Sequence, residues 1–82
     1  MATNKPTETL RDGSLKATIW KNDGEKGPFF SVSLTRIYTD DAGNYHDSDS
    51  FSGSELLRIA RLASRAYDRI ADLRQAEANR PA

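Results

Sequence analysis

Two aromatic residues with lysines near them are the best candidates for binding chemistry in this sequence. Trp20 and Phe29 flank a glycine-rich turn, and strand alternation predicts that both side chains lie on the outer side of one hairpin. The bases of a single-stranded nucleic acid stack on such rings while nearby cations meet its phosphates. The candidate nucleic-acid-binding set adds three lysines to the two rings: Lys16, Lys21 and Lys26. The alternative is an ordinary cross-strand aromatic pair, or a pair that packs against the N-terminal arm or a partner chain.

A row of arginines on consecutive turns of a predicted helix is a second candidate, because such a row could follow a phosphate backbone. The row consists of Arg58, Arg61, Arg65 and Arg69. Glu55, Asp68 and Asp72 stand three residues from members of this row, a spacing at which ion pairs form within a helix. The sequence therefore favours a solvated, internally paired face.

The acidic residues around His46 indicate neither a metal site nor a catalytic one. The run that begins at Asp40 lacks the ligand spacing and terminal glutamate of a calcium loop. His46 is the single histidine and the chain has no cysteine, so no nucleophile and base can be paired. We predict no metal, no cofactor, no small-molecule substrate and no enzymatic activity.

Three alternating segments predict strands, separated by residues typical of turns. They are Leu15–Lys21, Phe29–Thr39 and Tyr45–Phe51. The inward side chains are predicted to be Leu15, Ile19, Phe30, Val32, Leu34 and Phe51. Residues 1–14 have one large apolar side chain after Met1, Leu10, and are predicted to be a flexible arm. Residues 76–82 are predicted to be a flexible tail.

Charge and size predict the register of the two hairpins. In the first hairpin Ile19 is expected opposite Phe30, which would place Trp20 opposite Phe29. In the second hairpin Asp40 is expected opposite Tyr45, which would place Asp47 opposite Tyr38.

A helix is predicted from Glu55 to about Gln75, after a capping box formed by Ser52 and Glu55. Its sheet-facing stripe is predicted to contain Leu56, Ile59, Ala60, Ala63, Tyr67 and Ile70. Flanking apolar residues leave this arc wider than one contact needs, and we expect them to form a two-fold dimer interface. These flanking residues are Leu57, Leu62, Ala66 and Leu73.

Composition limits the chain to one small domain. Its 82 residues carry 12 Lys and Arg against 12 Asp and Glu, which excludes a generally basic nucleic-acid-coating protein. We predict an α+β domain over residues 15–75, with a three-stranded antiparallel β-meander followed by one long C-terminal helix packed on one face. No segment has the apolar length of a membrane-spanning helix, so a cytoplasmic location is expected. So small a domain buries limited apolar area, which favours a homodimer.

Several short runs resemble those of a group of small bacterial proteins that are often found with mobile elements. The runs are residues 16–22, 27–30, 36–38 and 47–51, and the resemblance covers about residues 14–70. It implies no particular activity. More distantly, strands followed by one long helix are similar to the Whirly-like and positive-cofactor modules. Those modules dimerise through helices and bind single-stranded DNA on their sheets.

Two functions from different classes therefore follow from the sequence. The first is a non-enzymatic protein that binds single-stranded nucleic acid on the outer side of its sheet. The alternative is a protein-interaction or structural module, in which that side or an open strand edge binds another polypeptide without nucleic-acid contact.

Overall fold

The computed structural model describes residues 5–78, which form an α+β domain with one antiparallel sheet and one C-terminal helix. The sheet has four strands in the order β1-β2-β3-β4, so each strand lies beside its neighbour in the chain. The elements are β1 (Pro6–Asp12), β2 (Leu15–Gly24), β3 (Gly27–Thr39), β4 (Tyr45–Ser48), a 3-10 turn (Gly53–Glu55) and α1 (Leu56–Ala78).

Alternation along β2 creates the two sides of the sheet. Leu15, Ala17 and Ile19 have no solvent exposure, and they form the core together with residues of α1. The intervening side chains, among them Trp20, therefore lie on the opposite side, away from the helix. The predicted sidedness of this strand is confirmed.

A fourth strand is the main correction to the predicted fold. Residues 6–12 were predicted to be part of a flexible arm, but they pair with residues 15–20 of β2, with Leu10 opposite Ala17. Gly13 and Ser14 connect the two strands, and Gly13 has φ +62°, as the first position of a type II′ hairpin requires. The prediction of a flexible arm failed because β1 contributes almost no apolar side chain. Composition does not reveal a strand that is held by polar contacts.

Arginines of α1 hold β1 against the sheet. Arg69 Nε donates to Glu8 Oε1 at 2.7 Å, Arg58 Nη2 donates to the Asp12 carbonyl at 3.0 Å, and Arg65 Nη1 reaches the Arg11 carbonyl at 3.5 Å. We call these three contacts the arginine clasp. Hydrogen bonding to Arg58 lowers the pKa of Asp12, and hydrogen bonding to Glu8 raises the pKa of Arg69. Three of the four arginines in the predicted solvated row therefore bind the first strand.

The register of the β2–β3 hairpin differs from the predicted one by two residues. Ile19 lies opposite Val32, and Trp20 lies opposite Ser31. The ladder extends to Gly24 opposite Gly27, so a two-residue turn replaces the seven-residue connection that the sequence suggested. Because the shift is an even number, every side chain keeps its predicted side of the sheet.

The β3–β4 hairpin is shifted by one residue, which reverses the sides of β4. Tyr45 lies opposite Thr39, and Asp47 lies opposite Ile37 instead of Tyr38. The cause is Asp40, which is a loop residue: its Oδ1 accepts the N–H groups of Ala42 and Asn44, each at 2.9 Å. Asp47 consequently lies on the side of the sheet away from the helix.

The helix contacts the sheet through a stripe that is rotated by about 70° from the predicted one, at 100° per residue. Leu62 and Ala66 are each 1% exposed, so they belong to the monomer core and cannot form the predicted dimer interface, and Leu73 is half-buried against the same core. Leu57, the fourth predicted interface residue, is 81% exposed, and Tyr67, predicted to face the sheet, is 76% exposed. The prediction was wrong because it placed β1 outside the sheet. With β1 present, the helix turns its arginines toward that strand.

The two ends of the helix were predicted with different success. Glu55 Oε1 accepts the backbone N–H of Ser52 at 2.9 Å, as the predicted capping box requires. The helix includes Ala78, the last residue that the structure describes, so residues 76–78 of the predicted tail are helical. The remainder of that tail, residues 79–82, and residues 1–4 of the predicted arm lie outside the described residues.

Replacement of two leucines of α1 tests the rotated helix. We expect Leu62→Ala to lower the free energy of unfolding by about 2–5 kcal/mol, because it opens a cavity in the core. Leu57→Ala should change it by less than about 0.5 kcal/mol in the monomer, because that side chain is exposed. Urea denaturation at low protein concentration measures both, and equal losses or a larger loss for Leu57→Ala would contradict the packing.

Acid should weaken the ion pair between Arg58 and the Asp12 carboxylate, in which Arg58 Nη2 donates to Asp12 Oδ1 at 3.2 Å. The pKa of Asp12 is lowered in the folded protein, so its stabilising contribution is complete above the ordinary pKa of an aspartate and is lost as pH falls through the lowered value. We expect the urea midpoints of the wild type and Asp12→Asn to converge between about pH 6 and pH 2. A difference that does not change with pH would show that Asp12 does not act through its charge.

Candidate nucleic-acid interface on the outer sheet face

The side of the sheet away from the helix, here called the outer sheet face, is built from even-numbered residues of β2 and odd-numbered residues of β3. In β2 and β3 its side chains carry mainly hydroxyl groups and two aromatic rings, and β4 adds the exposed ring of Tyr45, which lies opposite Thr39. Its central members are Lys16, Thr18, Trp20, Phe29, Ser31, Ser33 and Thr35. Trp20 is half-buried on this face and Phe29 is exposed, so the two predicted rings do share one surface.

The two rings do not form the predicted cross-strand pair. Trp20 leans along the strand toward Ser33, because its indole Nε1 donates to Ser33 Oγ at 3.1 Å. Phe29 leans the other way: two of its ring atoms lie 3.2 Å from where a Cβ on Gly24 would stand. The absence of a side chain at Gly24 thus lets the phenyl ring cover the backbone there.

Two polar side chains, Asn22 and Ser31, lie between the rings. Asn22 is opposite Phe29, and Ser31 is opposite Trp20. The Asn22 amide donates to Ser31 Oγ at 3.0 Å, which fixes both side chains in the gap. Two diverging aromatic rings with an amide and a hydroxyl between them can contact the faces and the polar edges of flat heterocycles.

The three predicted lysines are not brought together. Lys16 lies on the outer sheet face, where its Nζ is 3.9 Å from Asp47 Oδ2. Lys21 projects to the opposite side and forms an ion pair with Glu77 of the helix. Its predicted place in the nucleic-acid-binding set is therefore corrected. Lys26 stands in the turn between β2 and β3, beyond the ladder.

One cation of this face was missed by sequence reasoning. Arg11 lies opposite Lys16, and Thr9 lies opposite Thr18, so β1 extends the hydroxyl and cation pattern by one strand. The available signal was the weak alternation of Thr9 and Arg11 with Leu10. It was overlooked because the segment was assigned to an arm.

The acidic loop and His46 form a structural contact. His46 Nε2 and Asp40 Oδ2 are 2.8 Å apart, and this hydrogen bond is the main cause of the lowered pKa of Asp40. Within residues 5–78 no group of three or more His, Cys, Asp or Glu side chains could hold a metal ion. None of the described helices has the length and apolar character needed to cross a membrane.

Comparisons with protein-family models, curated proteins and solved structures found no match to this chain. The candidate site therefore depends on its own geometry.

The hydrogen bond to the indole gives a direct test of this geometry. We expect Ser33→Ala to release the Trp20 ring and to increase quenching of its fluorescence by acrylamide. Ser31→Ala is the matched control, because its hydroxyl is bonded to Asn22 and not to the indole. Equal quenching in the two variants would contradict the observed orientation of Trp20.

Proposed function

We propose that this protein is a small non-enzymatic binding protein that contacts single-stranded nucleic acid through its outer sheet face and acts as a homodimer. The observation that carries the proposal is the pair of diverging rings, Trp20 and Phe29, on either side of the Asn22–Ser31 hydrogen bond. Bases stack on aromatic rings whatever their sequence, so this arrangement suits binding with little sequence preference.

The cations of the same face support an anionic ligand. Arg11 and Lys16 are cross-strand neighbours on the outer sheet face, and Asp47 offsets only part of their charge. A strand whose bases stack on Trp20 would bring its phosphates toward these two side chains. Binding of this kind weakens as salt rises, because phosphate neutralisation releases counterions.

The resemblance to the Whirly-like and positive-cofactor modules stays a prediction, because no solved structure matches this chain. Fold likeness is a weaker argument than the site, since one fold hosts many functions. The association with mobile elements and the cytoplasmic location both stay predictions.

One observation favours the alternative of a protein-interaction module. β3 spans Gly27–Thr39, but β4 pairs with it only from Arg36 to Thr39. Among the described residues, no strand pairs with residues 27–35 on that edge. An extended peptide could add there as a further strand, without using Trp20.

Titration of fluorescently labelled single-stranded DNA, with Trp20 emission recorded in parallel, tests the proposal. We expect binding at about 50 mM salt that weakens at about 200 mM. Phe29→Ala should weaken it by at least about fivefold through the loss of stacking. Tyr38→Ala, which removes a ring on the helix side of the sheet, is the control and should bind as the wild type does.

A lysine pair supplies the electrostatic control. Lys16→Ala should weaken binding and lower the salt dependence, whereas Lys21→Ala should change neither, because Lys21 is on the other side of the sheet. No binding at low salt by the folded protein would exclude the proposal and favour peptide binding at the β3 edge. Equal effects of the two lysine variants would exclude the outer sheet face as the site.

A further inference from the structure

The helix has an exposed apolar face in addition to the stripe that packs on the sheet. At 100° per residue the exposed face is centred about 135° from the sheet-facing stripe. We call it the outer helix face and define it by Leu56, Leu57, Ala60, Ser64, Tyr67 and Ala71. Leu57 and Tyr67 are 81% and 76% exposed, and Leu56 is 55% exposed. Apolar side chains that are this exposed, and contiguous over four turns, mark an interaction surface.

We infer that a second copy of this chain covers the outer helix face, with the two helices antiparallel about a two-fold axis beside Ser64. The inference identifies the surface for the proposed homodimer and does not depend on nucleic-acid binding. An isologous contact must be complementary to itself, and the residues of this face meet that condition in both size and charge.

Size complementarity follows from the order of large and small residues. An axis beside Ser64 places residues opposite each other when their numbers add to about 128. Leu57 of each copy then meets Ala71 of the other, and Tyr67 meets the region of Ala60. Leu57 and Tyr67 thus each oppose a small residue, and the two Ser64 residues meet at the axis, where a close approach of the backbones is possible.

Charge complementarity identifies the occupant as a second copy. Arg61 and Asp68 border the same edge of the outer helix face, and their numbers add to 129, so Arg61 of each copy would lie across from Asp68 of the other. Within residues 5–78 neither side chain has an ion-pair partner, although Arg58 and Arg69 of the same helix do. A dimer supplies the missing partner twice, once on each side of the axis.

A charge exchange between Arg61 and Asp68 tests this pairing. We expect the wild type to dimerise as its concentration rises from about 1 to about 200 µM, measured by sedimentation velocity. Arg61→Asp and Asp68→Arg should each weaken the dimer by about tenfold or more, because each homodimer then places like charges opposite each other twice. An equimolar mixture of the two variants should restore dimers, since both contacts become attractive in the heterodimer.

Matched controls separate this pairing from general attraction between oppositely charged chains. Lys26→Asp and Asp23→Arg change the net charge by the same amounts at the β2–β3 hairpin tip. Each of these should dimerise as the wild type does, and their mixture should gain nothing. Ser64→Glu, which places two carboxylates at the axis, should also abolish dimers, while circular dichroism shows an unchanged helix.

Two results would overturn the inference. One is a wild type that stays monomeric over the whole concentration range. The other is a dimer that persists in Ser64→Glu and in both charge variants, because the interface would then lie elsewhere. Each chain of the monomeric Ser64→Glu variant retains its outer sheet face. A DNA titration of this variant therefore tests nucleic-acid binding independently of dimerisation.

Discussion

The packing of Leu62 and Ala66 against the odd-numbered side chains of β2 is the contact on which the rest of this structure depends. Among the described residues, six apolar side chains make up the buried core, and three of them come from this strand. Because strand side chains alternate, enclosing Ile19 under the helix places Trp20 on the far side. The same contact orients the helix, so that one side of it points its arginines at β1 and another is left exposed. The candidate site and the proposed dimer surface are both consequences of this one arrangement.

The apolar core is small, and electrostatic contacts hold the strand that contributes least to it, β1. β1 brings Leu10 as its large apolar residue, so its place in the sheet depends on backbone pairing and on the arginine clasp. Exposed ion pairs contribute little singly, but two of them act on this one strand, which also pairs with β2 through its backbone. The outcome is a four-stranded platform whose outer sheet face gains Arg11 and Thr9. Function on that face would therefore be linked to charges on the opposite side of the sheet.

Sequence reasoning succeeded where periodicity alone decides the outcome and failed where a local contact decides it. Alternation gave the sides of β2 and β3, and the spacing of Ser52 and Glu55 gave the start of the helix. The register of the second hairpin depended on Asp40 bonding to its own loop, which reversed Asp47. The rotation of the helix about its axis depended on β1, which arginines hold in the sheet. Hydrophobic patterning does not reveal a strand held in this way. Trp20 and Phe29 could be predicted for the candidate site, but their divergence could not, because it follows from Ser33 and Gly24.

Nuclear Overhauser contacts between methyl groups measure the central packing directly. In a methyl-labelled sample, the structure predicts at least one cross-peak from Leu62 to the methyl groups of Leu15 and Ile19, because all three side chains belong to one buried cluster. It predicts none from Leu57 to either of these residues, because Leu57 lies on the exposed side of the same helix. Cross-peaks from Leu57 to Ile19, together with none from Leu62, would contradict the orientation of the helix and with it the positions assigned to both surfaces.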